Sequence, residues 1–118
     1  MIVAKAVCKY AELTCENPDV VHCQDASTAT IPLYVATNKF LARYDTKTVV
    51  TIHNAGPFYH HDFENSREAA WYTGIDESYF DDCKNGERIE PFLIAYKAGA
   101  RLTTVSESSF SAEVLFLI

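Results

Sequence analysis

The sequence predicts an α/β domain in which a parallel sheet is flanked by helices. Helix-spaced and strand-like segments alternate along the chain, the strand-like segments are short and rich in β-branched residues, and 48% of the residues are hydrophobic. Short buried strands that alternate with helices are joined by crossover connections, which place the strands parallel to one another. The length of 118 residues is that of a single domain.

The first half of the chain is expected to contain two helices and two strands. Apolar residues over 2–13 recur at helical spacing, which predicts an amphipathic helix. The segments 20–23 and 48–53 are bounded by turn residues and rich in β-branched residues, which is typical of buried strands. A helix is predicted between them over 28–41, where Pro32 is tolerated only because it falls in the first turn.

The second half is expected to be less regular. The aromatic and acidic segment 58–83 predicts irregular structure with short helical pieces. Asn85 is expected to cap a helix that ends at Gly99, because Asn favours the start of a helix and Gly its end. A third strand is predicted over 102–105 and a last helix over 107–116.

Polar side chains follow each predicted strand and form the candidate binding site. The carboxyl ends of parallel strands lie at one edge of a sheet, and ligands of open α/β sheets bind beyond that edge. Side chains that follow different strands are therefore expected to face one ligand. The candidate residues are Asp25, Ser27, Thr28, His53, Asn54 and Ser106.

Each of these groups also has a purely structural interpretation. The loop from Asp25 to Thr28 can hold sugar hydroxyls or an anion, but spacing alone favours a simple helix cap there. His53 suits a hydrogen bond to a polar ligand and equally suits one to a nearby backbone carbonyl. Ser106 can cap the last helix or face an anion. His22 lies within a predicted strand and is expected to be a core histidine.

Aromatic residues and adjacent histidines in the middle of the chain are further candidates for a site. The aromatic side chains can line a sugar-binding surface, although such residues more often pack in a core or lid. The run from His60 to Asp62 lacks a third, spaced ligand, so no metal site is expected there. The aromatic candidates are Trp71, Tyr72, Tyr79 and Phe80.

Charge and cysteine usage exclude several classes of function. The net charge is −6 and the basic residues are scattered, which disfavours nucleic-acid binding. The four cysteines form no C-x-x-C pair, so we expect reduced thiols and a cytoplasmic protein.

No apolar run suggests a membrane span or a signal peptide. No phosphate-loop or dinucleotide motif occurs, and no cofactor is expected.

Three segments, in order along the chain, resemble motifs of bacterial glycogen synthases and plant starch synthases. Residues 18–34 resemble the family segment that reads P-D-V-H-x-H-D-W-H-T-A and then P-x-Y. Residues 48–54 are similar to the family strand T-V-F-T-I-H-N. Residues 102–114 resemble I-T-T-V-S-P-x-Y-A-x-E-I. The resemblance covers nearly the whole chain.

The resemblance implies a glycosyltransferase of the GT-B type, in which two Rossmann-like domains flank a cleft. Such enzymes transfer glucose from ADP-glucose or UDP-glucose to an α-1,4-glucan acceptor with retention of configuration. Residues 1–118 would form a single, partial Rossmann-like domain, the later part of the N-terminal domain. The candidate residues named above would be substrate-cleft positions, and no catalytic residue is assigned.

Departures from the family motifs lead to the expectation that the isolated chain is inactive. Ala26 and Ser27 stand where the family has Trp and His, and Gln24 replaces another His. The family's Lys-x-Gly-Gly-Leu loop and its second domain are absent from the sequence. A non-catalytic glucan-binding or scaffold module is therefore the alternative. A further alternative is an unrelated flavodoxin-like domain that binds a nucleotide or a protein.

Overall fold

The structure is a computed structural model that describes residues 2–54 and 58–105. The helices are α1 (Ile2–Thr14), α2 (Asp25–Thr28), α3 (Ile31–Thr37), α4 (Ser66–Thr73) and α5 (Pro91–Lys97), with 3-10 turns at Leu41–Tyr44 and Glu77–Asp82. The strands are β1 (Val20–Gln24), β2 (Lys47–Ile52), β3 (Lys84–Asn85), β4 (Arg88–Ile89) and β5 (Arg101–Thr104). The predicted alternation of helices and strands is thereby confirmed.

The three longer strands form one parallel sheet in the order β1-β2-β5. Cys23 on β1 lies opposite Val50 on β2, and Val50 lies opposite Leu102 on β5. This register aligns the three strands so that β1 and β2 end side by side. The parallel sheet predicted from the sequence is confirmed, and β2 is its central strand.

The main core lies between one face of this sheet and helices α1, α3 and α5. Cys23, Val50 and Ile52 are almost fully buried and belong to the same cluster as Phe92 of α5. Alternate residues of a strand point to opposite faces, so these three side chains all face the helices. A second cluster around Phe80 and Ile94 fixes the region that follows β2.

The opposite face of the sheet carries a hydrogen-bonded row of polar side chains. His22 Nε2 lies 2.7 Å from Thr51 Oγ1, which lies 2.9 Å from Thr103 Oγ1. The prediction that His22 is a core histidine is wrong, since the residue is exposed. His22 immediately precedes Cys23 in β1, and neighbouring residues of a strand point to opposite faces of the sheet. The His22 side chain therefore points away from the helices.

The helix predicted over 28–41 is divided into shorter pieces. Pro32 lies in the first turn of α3, as expected. Because Pro32 has no N–H, it cannot bond back to the carbonyl of residue 28, and α2 ends there. After α3, Asn38 Oδ1 accepts hydrogen bonds from the backbone N–H groups of Phe40 and Leu41. The chain thereby turns into the 3-10 segment rather than continuing the helix.

The start of the helix before Gly99 was predicted wrongly, while its end was predicted correctly. Asn85 belongs to the β3–β4 hairpin, whose turn contains Gly86 at a φ of 65°. Glu90 is the actual cap of α5 and accepts a hydrogen bond from the Phe92 N–H. Gly99 follows the helix at a φ of 91°, a conformation that favours glycine.

The remaining sequence predictions have mixed outcomes. Segment 58–83 contains α4 and a 3-10 turn, as its irregular pattern with short helical pieces suggested. The helix predicted over 107–116, together with Ser106, lies outside the described residues. No helix within 2–54 and 58–105 has the length and apolar character needed to cross a bilayer.

The cysteines are free thiols, and three of them are buried. Cys8, Cys23 and Cys83 are buried, whereas Cys15 is exposed at the end of α1. Burial raises the pKa of both Cys23 and Cys83 to about 11. These two thiols therefore stay protonated at neutral pH and act as small apolar side chains.

Phe92 is expected to be a main contributor to core stability, because its ring is fully buried between the sheet and α5. The Phe92→Ala variant should unfold with a free energy lower by about 3–5 kcal/mol, as measured by urea denaturation. Tyr96→Ala on the same helix is the control, since Tyr96 is 56% exposed. Equal losses in the two variants would contradict the assigned packing of α5.

Candidate functional site

The carboxyl ends of β1 and β2 are joined by one carboxylate. Asp25 Oδ1 accepts hydrogen bonds from the backbone N–H of His53 at 2.6 Å and from that of Asn54 at 3.1 Å. We call Gln24, Asp25, His53 and Asn54 the strand-end cluster. The parallel register brings these residues together, because β1 and β2 end at the same edge of the sheet.

Asp25 reaches these N–H groups because it adopts a left-handed conformation, with φ at 58°. Asp and Asn tolerate this region better than most other residues. Asp25 therefore does not cap a helix, contrary to the expectation from spacing. Helix α2 instead starts without a side-chain cap, and Thr30 before α3 supplies none either.

His53 is held by Gln24, a residue that the sequence analysis did not assign to the site. His53 Nε2 lies 2.6 Å from Gln24 Oε1. An amide oxygen only accepts hydrogen bonds, so Nε2 is the donor. His53 and Asn54 are both exposed at this edge.

The hydroxyl of Thr28 is engaged within the protein. Its Oγ1 accepts a hydrogen bond from Gln24 N at 2.7 Å and donates to Gln24 O at 2.6 Å. These contacts close the turn between β1 and α2. Thr28 thus supports the strand-end cluster, and its predicted substrate contact stays a prediction.

Ser27 lines an open pocket. The pocket has a volume of about 320 Å³, and its lining includes Ser27, His61 and Tyr72. Helix α4 contributes Tyr72, which lies far from Ser27 in the sequence. Tyr72 was predicted as a possible sugar contact, but its place in the same pocket lining as Ser27 was not predicted.

The four aromatic candidates occupy different environments. Phe80 is fully buried and Tyr79 is half-buried, so both pack in the second core cluster. Trp71 and Tyr72 are exposed on α4, with their rings edge to face at 4.9 Å between centroids. The packing interpretation therefore holds for the first pair, and a surface role remains for the second.

A buried acid–histidine pair supports the segment beside this pocket. His60 Nδ1 lies 2.6 Å from Glu90 Oε2, and Glu90 is almost fully buried. Burial raises the pKa of Glu90, while the charge of His60 and the Phe92 N–H act in the opposite direction. The pair was not predicted, although the Glu90–Pro91 dipeptide is a recognisable helix start.

The side chains of the described residues were also compared with the ligand sets that hold metal ions. Within 2–54 and 58–105, no three His, Cys, Asp or Glu side chains converge as ligands. The run from His60 to Asp62 is divided among other partners, since His60 contacts Glu90 and Asp62 accepts from Arg88 at 2.7 Å.

Comparisons with known proteins agree on one family. A family model described as the starch synthase catalytic domain matches residues 1–115. The glycogen synthase of Fusobacterium nucleatum is 33% identical in an alignment 116 positions long, which covers 92% of this chain and 23% of that protein. A probable glycogen synthase 2 of a Nostoc species is 30% identical in an alignment 111 positions long, which covers 87% of this chain and 22% of that protein.

A solved structure shows the same fold. The catalytic domain of starch synthase IV from Arabidopsis thaliana, bound to ADP and acarbose, matches with a TM-score of 0.67 and 24% identity. The match covers 87% of this chain and 22% of the other. This likeness confirms the predicted fold class, a parallel sheet with flanking helices as found in that GT-B catalytic domain.

Asp25 is expected to order the edge of the sheet through its two hydrogen bonds. Asp25→Ala removes the shared acceptor, so the amides of His53 and Asn54 should exchange with deuterium faster. The free energy of unfolding should fall by about 1 kcal/mol. Asp25→Asn is the control, because Asn keeps an acceptor oxygen and tolerates the left-handed backbone. Unchanged exchange at both amides in the Ala variant would refute this role.

The raised pKa of Glu90 predicts a pH-dependent stability. The folded state holds the proton of Glu90 more tightly than the unfolded state does. The contribution of Glu90 to the free energy of unfolding is therefore largest below the ordinary pKa of 4.5. It declines as the pH rises through the folded pKa. The stability of the wild type relative to Glu90→Gln should therefore decrease from acidic pH toward neutrality, as measured by denaturation across pH.

Glu87→Gln is the matched control for this measurement, since Glu87 is exposed on the hairpin. Its stability should follow the wild type at every pH. A wild type that gains stability relative to Glu90→Gln as the pH rises would contradict the assigned direction.

Proposed function

Because this chain belongs to the starch and glycogen synthase family of glycosyltransferases, we propose that it forms the glucan-facing wall of an active-site cleft. The strand-end cluster is the part of this wall that meets the sugar chain. The relatives' names and the shared fold support this assignment, and the cluster contributes the hydrogen-bonding side chains. Residues 1–118 act in this proposal as a single, partial Rossmann-like domain.

The proposed reaction transfers glucose from a nucleotide sugar to the non-reducing end of an α-1,4-glucan with retention. ADP-glucose is the favoured donor, since ADP is what remains after its glucose is transferred and the starch synthase IV structure holds ADP. UDP-glucose is the other candidate. The chain spans 23% of the Fusobacterium protein, so we place the phosphate contacts on a second domain outside these residues.

One observation carries the proposal: Asp25 fixes two exposed polar residues at the edge where α/β sheets bind ligands. The imidazole of His53 and the amide of Asn54 are hydrogen-bonding groups, which suit the hydroxyls of a sugar. Asp25 positions both through their backbone. Contacts from Ser27, Thr28 and Ser106 stay predictions, as does a cytoplasmic location.

A second candidate function is glucan binding without catalysis. Ala26 and Ser27 occupy positions where the related motif has Trp and His. No imidazole is therefore available at position 27 to act on the reacting sugar. In this alternative the same cluster holds a glucan, and the chain serves as a binding or scaffold module.

Maltohexaose titration of the 118-residue chain, followed by calorimetry, tests the shared part of both candidates. We expect binding, and we expect Asn54→Ala to weaken it about tenfold because a hydrogen bond to the sugar is lost. The variant keeps the backbone N–H that Asp25 accepts, so the cluster stays assembled. Asn85→Ala on the exposed hairpin is the control and should bind like the wild type.

A transfer assay separates the two candidates. The isolated chain is expected to incorporate no glucose from ADP-glucose or UDP-glucose into glycogen. Activity that appears only when the chain is combined with a domain supplying the phosphate contacts would favour the enzyme. Maltohexaose binding with no activity in either form would favour the scaffold. No maltohexaose binding at all would refute both.

A further inference from the structure

Helix α1 carries apolar residues on its outer face as well as on the face that packs against the core. Ala4, Cys8 and Ala11 are buried and belong to the main core cluster. On the opposite side of the helix, large apolar side chains are exposed. They are Ile2 (86% exposed), Val3 (58%), Tyr10 (60%) and Leu13 (74%). Ala6 lies among them and is also exposed. We call these five residues the outer stripe.

The outer stripe is continuous along the helix. At 3.6 residues per turn, its side chains lie within about 100° of the helix circumference, the width of a face that packs against another element. Single exposed apolar residues are common on protein surfaces, whereas contiguous patches mark contacts with a partner. A helix that is apolar on both sides is typical of one covered on both sides. The outer stripe therefore indicates a contact surface.

The charges beside the outer stripe change sign along the chain. Lys5 and Lys9 lie in the first two thirds of α1, whereas Glu12 lies near its end and Glu16 follows it. When two such helices pack antiparallel, the basic part of each meets the acidic end of the other. Parallel packing would instead bring like charges together. The charge pattern is therefore complementary to a reversed copy of itself, as a twofold axis perpendicular to the helix requires.

Two charge pairs place this axis at the same position. Lys9 meets Glu12 of the second copy when the axis passes between positions 10 and 11. Lys5 meets Glu16 of the second copy about the same axis. Tyr10 then lies at the centre of the contact. Within one chain Lys9 Nζ already lies 3.1 Å from Glu12 Oε2, so two copies would form a network of charges around the axis.

The overall charge of the chain also distinguishes α1 from the rest of the surface. A net charge of −6 opposes self-association. Helix α1 contains two lysines and one glutamate, so acidic repulsion does not act between two copies of this helix. A second copy of the chain is therefore an electrostatically suitable occupant of the outer stripe.

We propose that the outer stripe is the contact between two copies of this chain, whose α1 helices pack antiparallel about a twofold axis. With 13 residues, α1 is about 20 Å long. Such a contact lies at the low end of specific interfaces, so a micromolar dissociation constant is expected. The outer stripe faces away from the core and the sheet, and the proposal does not depend on the proposed function.

Sedimentation velocity of the 118-residue chain, at concentrations from about 1 to about 500 μM, tests the proposal. The wild type should change from monomer to dimer across this range. Leu13→Asp and Ala6→Glu each place a charge in the outer stripe and should weaken dimerisation about tenfold or more. Trp71→Asp is the matched control, since Trp71 is 78% exposed on α4, and it should dimerise like the wild type.

The salt dependence of dimerisation tests the orientation. In the antiparallel arrangement, raising NaCl from about 0.05 to about 0.5 M should weaken the dimer about threefold, because salt screens opposite charges that attract. A dimer that salt strengthens would bring like charges together, which would overturn the antiparallel arrangement.

Other results would overturn the contact itself. A wild type that stays monomeric at every concentration has no such contact. Leu13→Asp and Ala6→Glu variants that dimerise like the wild type would exclude α1, and loss of the dimer only in Trp71→Asp would place the contact on α4. Circular dichroism of each variant excludes loss of fold as the cause. Ala6→Glu keeps the comparison decisive because glutamate is a strong helix former.

Discussion

The carboxylate of Asp25 is the contact on which the candidate site depends. It bonds the backbone of His53 and Asn54 and so joins the end of β1 to the end of β2. The backbone beyond a strand has no neighbour in the sheet, and its N–H groups need another acceptor. A charged acceptor there orders the residues whose side chains face the proposed glucan, and it does so without occupying those side chains.

The elements that the sequence predicted correctly are those whose signal is local. Helix α1 and strand β2 show their period within a few residues, and Gly99 marks a helix end by its own conformational freedom. The long helix over 28–41 and the cap at Asn85 were wrong because nearby competitors decided the outcome. Pro32 starts a new helix, and the Glu90–Pro91 pair is a stronger helix start than Asn85.

The candidate site was predictable to the extent that sheet geometry determines it. Parallel strands place Asp25 beside His53 whatever the surrounding loops do, so this juxtaposition followed from the strand pattern. That Tyr72 and Ser27 line one pocket depends on the tertiary packing of α4, which contacts the second 3-10 turn and β4, and no local pattern encodes that packing. Gln24 was missed because its contact with His53 is between side chains 29 positions apart, and no local pattern shows which side chains at the sheet edge bond each other.

The distribution of cysteines allows a distance within the chain to be measured, because one of the four thiols is exposed and can be labelled selectively. Alkylating reagents attack the thiolate, and the buried Cys8, Cys23 and Cys83 are shielded, two of them with a pKa of about 11. Cys15 is exposed where α1 ends, before the chain enters the amino end of β1. An energy-transfer acceptor attached there, with Trp71 as the natural donor, would report the distance between the end of α1 and helix α4 without any substitution.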